Sequence, residues 1–128
     1  MNFQLTREQE LVQQMVRDFA VNEVKPIAAE IDETERFPME NVKKMAKLGM
    51  MGIPFSKEYG GADGDVLSYI LAVEELSKVC ATTGVILSAH TSLCASVINE
   101  NGTKEMCIRD SGKITLWSYW GIRLFMFI

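Results

Sequence analysis

The sequence predicts an all-α domain of about four or five helices, and three observations support this fold class. Apolar residues recur every three or four positions through most of the first 105 residues. The breaks between these stretches carry glycine, proline or helix-capping residues. The glycine-rich stretch 50–64 lacks the alternation of apolar and polar residues that a half-buried strand shows.

The first helix is predicted to begin at Thr6. The tetrapeptide T-R-E-Q forms a capping box, in which Thr6 and Gln9 each satisfy a backbone amide of the other. An apolar stripe of helical period follows at Leu11, Met15 and Phe19.

Pro26 is expected to interrupt this helix. A proline disfavours helical dihedrals at the preceding residue, here Lys25, so a kink or a new start is predicted. A second segment should then run from Pro26 to about Glu33.

The next helix is predicted from Pro38 to Leu48, with proline at its first position and Gly49 as its stop. The stretch 50–64 should form a loop with one short turn around Lys57.

Two further helices follow this loop. Asp65 is a plausible N-cap for the first, with Ser68 as its N3 partner, and Glu74 and Lys78 form an i,i+4 pair in it. Either threonine of Ala81-Thr82-Thr83 could cap the second, from Gly84 to Asn99, and Asn99-Glu100-Asn101-Gly102 should end it. The second helix is apolar or small nearly all round, so it should be buried in a core, against a ligand, or both.

Composition narrows the class of protein. A chain of 128 residues has room for one domain, and a net charge of −4 with no basic stripe argues against nucleic acid as a partner. The three cysteines have no metal-binding spacing, and the odd count without a signal peptide predicts free thiols and a cytoplasmic location.

The residues alone assign no catalytic group and no metal site. Glu74 and Glu75 are adjacent on a helix and point about 100° apart, so we expect a solvated face rather than an acid/base pair. His90, the one histidine, is either a core residue or a group that lines a pocket.

A long stretch of the sequence resembles the acyl-CoA dehydrogenase family, and most closely its short-chain, butyryl-CoA dehydrogenase-like bacterial members. The likeness runs from Met1 to about Glu105 and includes LTREQELVQQMVRDFAVNEVKPIAAEID, FPMENVKKMAKLGMMGIPFSKEYGG and the E-E-L of Glu74-Glu75-Leu76. The resemblance implies that residues 1–105 are a truncated N-terminal helical domain.

The parent implied by this resemblance is a homotetramer that holds FAD and desaturates an acyl-CoA between its α and β carbons. It would pass electrons to electron-transfer flavoprotein. In the family, the catalytic glutamate and the main flavin contacts lie in other domains, so we expect no catalytic residue here and an inactive fragment. The parent could also be an acyl-CoA oxidase or a branched-chain dehydrogenase, and the chain could be a stand-alone helical interaction module.

The same resemblance implies that the helix after E-E-L forms part of the wall around the acyl chain. The candidate substrate-binding residues are Ile86, Ala89, His90 and Leu93, with Val97 as a further member. Their spacing of three or four would put them on one helical face.

The family pattern ends abruptly after G-T-K-E. Residues 106–128 begin with MCIRDS, which looks like a translated adaptor end, and continue as an apolar, aromatic stretch. We interpret this tail as sequence joined by artefact. The alternative is an interfacial anchor, since Ile114 to Ile128 is too short to span a bilayer.

Overall fold

The computed structural model describes residues 4–105, and within that range the chain forms four helices and no strand. The all-α prediction is confirmed. Two of the four helices contain an internal π turn, which divides each of them into two α-helical segments. The six α-helical segments are numbered α1 to α6 in chain order: Arg7–Phe19, Lys25–Thr34, Met39–Lys47, Val66–Ser77, Ala81–Ala89 and Ser96–Asn101. The π turns are Ala20–Val24 and His90–Ala95, and short 3-10 turns occupy Met50–Gly52 and Lys57–Tyr59.

The capping box at the start of α1 is confirmed. The Thr6 N–H donates to Gln9 Oε1 at 2.9 Å, and the Gln9 N–H donates to Thr6 Oγ1 at 3.3 Å. The Gln9 side chain also donates from Nε2 to Asp65 Oδ2 at 2.6 Å. One glutamine therefore ties the start of α1 to the start of α4.

The predicted departure of Lys25 from helical geometry is wrong. Lys25 has φ −54° and ψ −42°, and its N–H donates to the Ala20 carbonyl five residues back. The π turn before Pro26 closes its hydrogen bond over one residue more than an α-helix does. Proline has no N–H to donate to the helix, and a local π turn can accommodate this missing hydrogen bond. The helix therefore passes Pro26 and ends at Thr34, and the C-cap residue Glu35 is left-handed with φ 52°.

Pro38 precedes α3 instead of occupying its first position. Its ψ of 66° is not helical, so it acts as the N-cap and the helix begins at Met39. Gly49 has φ +75° and ends this segment as predicted, because a left-handed residue after a helix favours glycine. The short turn predicted around Lys57 is the 3-10 turn Lys57–Tyr59.

Asp65 caps α4, since its Oδ1 accepts from the Ser68 N–H at 2.7 Å. The threonine cap predicted for the last helix is wrong. Cys80 is the N-cap, the helix begins at Ala81, and its second segment reaches Asn101. The Cys80 N–H bonds to the Leu76 carbonyl and the Gly84 N–H bonds to Cys80, so α5 starts immediately after α4 ends.

The core lies between α1, α3, α4 and α5, and α4 packs against both α1 and α5. Its members include residues from each of these helices and from the loop: Val16, Phe19, Val42, Met45, Met50, Ile53, Tyr69, Leu76, Ile86 and Leu87. Leu11 and Met15, which the sequence placed on the apolar stripe of the first helix, remain exposed, and so do Leu67 and Ile70 of α4. Each of these helices therefore has more apolar surface than the face that it buries.

The last helix meets the length and composition of a membrane span. Ala81–Asn101 has 21 residues with mean hydropathy 1.4 in its most apolar window, of which 39% is buried. A core helix of a folded domain passes the same test, so the observation is weak evidence for a membrane role.

Candidate functional site

One face of the last helix is apolar and open to solvent. Val85, Leu93 and Val97 are 63%, 62% and 53% exposed, and Ala89 between them is half-buried. We call these four residues, which recur at every fourth position, the outer stripe. Residues 4–105 therefore bury one side of this helix and leave the outer stripe for a ligand or another part of the parent to cover.

The π turn keeps the outer stripe straight. In a regular α-helix, a step of four residues overshoots one turn by about 40°, so a stripe of every fourth residue winds around the axis. In the π turn His90–Ala95, the Ser96 N–H bonds to the Thr91 carbonyl five residues back. Each residue of a π turn rotates less about the helix axis than a residue of an α-helix. The π turn therefore reduces the rotation between Val85 and Val97, and the two side chains stay on the same side of the helix.

The opposite face of this helix follows the same spacing. Thr83, Leu87, Thr91 and Ala95 are each at most 6% exposed, and they are offset by two positions from the outer stripe. The helix therefore has one side against the domain core and one side without a cover from residues 4–105.

The structure divides the residues predicted to line the acyl chain. Ala89 and Leu93 lie on the outer stripe, and so does Val97. Ile86 and His90 are 3% and 1% exposed and point into the domain. Sequence reasoning missed Val85, although its distance of four residues from Ala89 is the signal that identifies it.

His90 is enclosed by the domain itself. It starts the π turn, and that turn lies against the 3-10 turn Met50–Gly52. Neither ring nitrogen makes a hydrogen bond of good geometry, and the effect of burial outweighs that of the nearby Met51 backbone, which favours the charged form. Burial therefore lowers the pKa of His90 from 6.5 to about 4, and the ring is neutral at pH 7.

The polar residues beside the outer stripe are already occupied. The Ser92 hydroxyl donates to the Ser88 carbonyl at 2.7 Å, and the Tyr69 hydroxyl donates to the same carbonyl at 3.4 Å. Ser96 likewise donates to the Ser92 carbonyl. The exposed face thus favours an apolar neighbour, because the Ser92 and Ser96 hydroxyls already donate within the helix.

Glu75 is buried, contrary to the solvated face predicted for it. It is 4% exposed and accepts from Arg17 and Lys78, whereas Glu74 is 52% exposed and pairs with Lys78 at 2.9 Å as predicted. The Arg17 hydrogen bond is the main cause that lowers the pKa of Glu75 to about 2. A general base needs a pKa nearer the working pH and a free oxygen, so Glu75 is a structural anion.

A second surface lies where α1 meets the segment 48–65. Two concavities of about 680 and 520 Å³ adjoin there, and Met15 and Leu48 line both. The larger one, which we call the α1 groove, is lined by both apolar and charged residues. We call its apolar lining residues the floor, namely Val12, Met15, Leu48 and Ile53, and its charged lining residues the edge, namely Glu8, Lys57, Asp63 and Asp65.

Two helix starts within residues 4–105 are closed to an anionic group such as the diphosphate of a flavin dinucleotide. Thr6 and Gln9 cap the start of α1, and the Asp65 carboxylate caps the start of α4. Within the described range, no group of three or more His, Cys, Asp or Glu side chains is placed to hold a metal ion.

Comparison with known proteins gives a consistent picture. The model of the acyl-CoA dehydrogenase N-terminal domain matches residues 6–109. The short-chain specific acyl-CoA dehydrogenase of Clostridium acetobutylicum is 87% identical over 105 residues, which cover 82% of this chain and 28% of that protein. The chain thus spans less than a third of the length of this curated relative.

Solved structures share the fold. A chain in a structure of the electron transferring flavoprotein of Acidaminococcus fermentans superposes with a TM-score of 0.86 at 43% identity, covering 90% of this chain and 30% of that one. Butyryl-CoA dehydrogenase from Megasphaera elsdenii gives a TM-score of 0.83 at 37% identity, covering 90% and 31%.

Proposed function

Since this chain belongs to the acyl-CoA dehydrogenase family through its N-terminal domain, we propose that its parent protein desaturates short-chain acyl-CoA thioesters. In this proposal the outer stripe supplies part of the apolar surface that the rest of the parent covers. The observation that carries it is the outer stripe: one face of the helix is apolar and exposed to solvent, whereas the opposite face of the same helix is packed against the domain core.

Short-chain substrates are supported by the relatives. A short-chain specific acyl-CoA dehydrogenase is 87% identical over the shared region, and a butyryl-CoA dehydrogenase has the same fold. These matches favour a dehydrogenase of this kind over the acyl-CoA oxidase and branched-chain alternatives.

The chain's own residues contribute binding surface and exclusion of water. Ala89 and Leu93 lie at the middle of the outer stripe and would contact an apolar acyl chain or the domain that encloses it. A dry surface of this kind strengthens electrostatic interactions at the reacting atoms. Ile86 and His90 support the stripe from behind through the helix that they share with it.

In the parent, FAD would be held by parts outside residues 4–105 and would supply the redox chemistry. We further propose electron transfer to an electron transferring flavoprotein, a tetrameric parent and a cytoplasmic location. The match to a chain from an electron transferring flavoprotein structure supports the first of these. The free thiols Cys80 and Cys94 support a reducing compartment.

A domain exchange tests the proposal. Residues 1–105 of this chain replace the matching region of the C. acetobutylicum enzyme, and oxidation of butyryl-CoA is followed with a dye acceptor. We expect activity close to that of the parent enzyme, and its loss with Leu93→Arg. Leu11→Arg is the matched control, because Leu11 is 62% exposed on α1 and outside the stripe.

One result would contradict the proposal, and a second would contradict the expectation that this chain alone is inactive. A flavin-loaded exchange protein that oxidises no acyl-CoA would exclude this activity for the domain. Acyl-CoA oxidation by the 128-residue chain with added FAD would contradict our expectation that the chain alone is inactive. Recovery of this chain in a stable complex without flavin or acyl-CoA would favour the interaction-module alternative.

A further inference from the structure

The methionines of the described residues differ sharply in exposure. Met45 and Met50 are 0% exposed and Met51 is 5% exposed, whereas Met15 is 36% exposed on the surface of α1. Met39 is half-buried near the start of α3. The thioether of Met15 is thus the most open to small reagents among these five.

Met15 also lies where a more polar side chain would change the character of the surrounding surface. It lines both concavities at the α1 surface together with Leu48, and it forms part of the apolar floor of the α1 groove. Methionine fills irregular apolar surfaces well because its side chain is unbranched and polarizable. Its sulfoxide is polar and chiral and disrupts such surfaces.

We propose that Met15 is an oxidation site for peroxide-class oxidants, and that its oxidation converts the floor of the α1 groove from apolar to polar. The sulfur atom gives up an electron pair and takes one oxygen atom from hydrogen peroxide. The remainder of the peroxide leaves as water, and methionine sulfoxide reductases reverse the change.

The charges around the groove favour a neutral oxidant. Glu8 and Asp63 lie at its edge, with Lys57 as the one cation among its lining residues. Hydrogen peroxide carries no charge and is close to water in size, so this edge does not repel it. Hypochlorite is the anionic form of hypochlorous acid and predominates at alkaline pH, where the same carboxylates should slow its approach at low ionic strength.

The experiment uses the full 128-residue chain labelled with ¹³C at the methionine methyl groups. Peroxide is added under native conditions, and each resonance is assigned by Met→Leu substitution. We expect the Met15 signal to convert to sulfoxide at least about tenfold faster than those of Met45 and Met50, because buried residues react only after the domain opens. In denaturant the three rates should converge.

A second measurement tests the effect on the groove. In a sample labelled at the leucine and valine methyl groups as well, oxidation should shift the resonances of Leu48 and Val12 but not those of Leu76 and Leu87, which are buried and do not line the groove. The variant Met15→Leu should abolish these shifts. Equal native rates for Met15 and Met45, or conversion of Met15 without any shift at Leu48, would overturn the proposal.

Discussion

Arg17 and Glu75 are joined by two hydrogen bonds across the contact between α1 and α4. Arg17 Nε donates to Oε2 at 3.1 Å, and Nη2 donates to Oε1 at 3.0 Å. The carboxylate is 4% exposed and the guanidinium about half exposed, so the two partners do not pay the same desolvation cost. Gln13 and Lys78 complete the set of donors around Glu75.

Removal of Arg17 should destabilise the domain more than removal of Glu75. Arg17→Met leaves a carboxylate side chain that is 4% exposed with Lys78 as its remaining cation, so the loss of stability should exceed that of an exposed ion pair. Glu75→Leu removes the buried charge itself and leaves Arg17 in contact with water. Urea unfolding measures both, and Lys44→Met, which breaks the exposed Lys44–Glu23 pair, serves as control with a change of under about 0.5 kcal/mol. Equal losses for the first two variants would contradict this asymmetry.

Stability should fall as the pH drops from 7 to 5, and His90 should cause this fall. Its pKa is lowered to about 4 in the folded state, so the unfolded chain takes up a proton near pH 6.5 while the folded chain does not. The expected loss is about 2 kcal/mol over this interval. Because the chain has one histidine, His90→Leu should flatten the profile above pH 5. A slope that persists in this variant would assign the effect to other groups.

Glu75 should produce a separate loss of stability at lower pH. Its folded pKa of about 2 lies below its ordinary value of 4.5, so its contribution is complete above pH 4.5 and disappears as the pH falls toward 2. Unfolding of Glu75→Gln at pH 5 and pH 3 tests this. The difference in stability from the unsubstituted chain should be smaller at pH 3, and a constant difference would contradict it.

Gly84→Ala should destabilise the helix pair α4–α5, although alanine is normally the better helix former. A Cβ atom at Gly84 would lie 2.0 Å from Ser77 Oγ and 3.1 Å from Ser77 Cβ. We expect a loss of about 1–3 kcal/mol in thermal or urea unfolding. Ser77→Ala removes the nearest atom and should recover part of that loss in the double variant. Independent, additive effects would exclude this contact.

Leu93→Lys should reduce self-association without loss of fold. The outer stripe exposes contiguous apolar side chains, which promote association in water. Sedimentation velocity should show a smaller assembled fraction, while circular dichroism stays helical. Leu87→Lys is the matched control on the same helix, and it should unfold the domain because Leu87 is 0% exposed.

The sequence correctly predicted those helix starts that depend on a side chain and a backbone amide only a few residues apart. Thr6 with Gln9 and Asp65 with Ser68 are such cases, because each cap involves residues three positions apart. The start of α5 was missed because the hydrogen bonds of α4 end at Cys80 and leave no room for a threonine cap. That outcome depends on how two helices join, which composition does not encode.

The candidate site was predicted only in part, for a similar reason. Spacing placed Ile86, Ala89, His90 and Leu93 on one face of a regular helix, but it does not reveal which side meets the core. The two π turns also have no clear signal in the sequence, and they determine which residues lie along one face of each helix. Burial of Glu75 likewise depends on Arg17, which lies 58 residues away in the chain.

The π turn His90–Ala95 has a consequence for how this helix tolerates changes of length. Deletion of one residue within the turn would allow ordinary α-helical bonding and would leave Val97 and the residues after it on their present faces. The same deletion in the regular segment Ala81–Ala89 would rotate everything downstream by about 100°. Deletions of a single residue are therefore best accommodated at this point, where the chain holds one residue more than the helix needs.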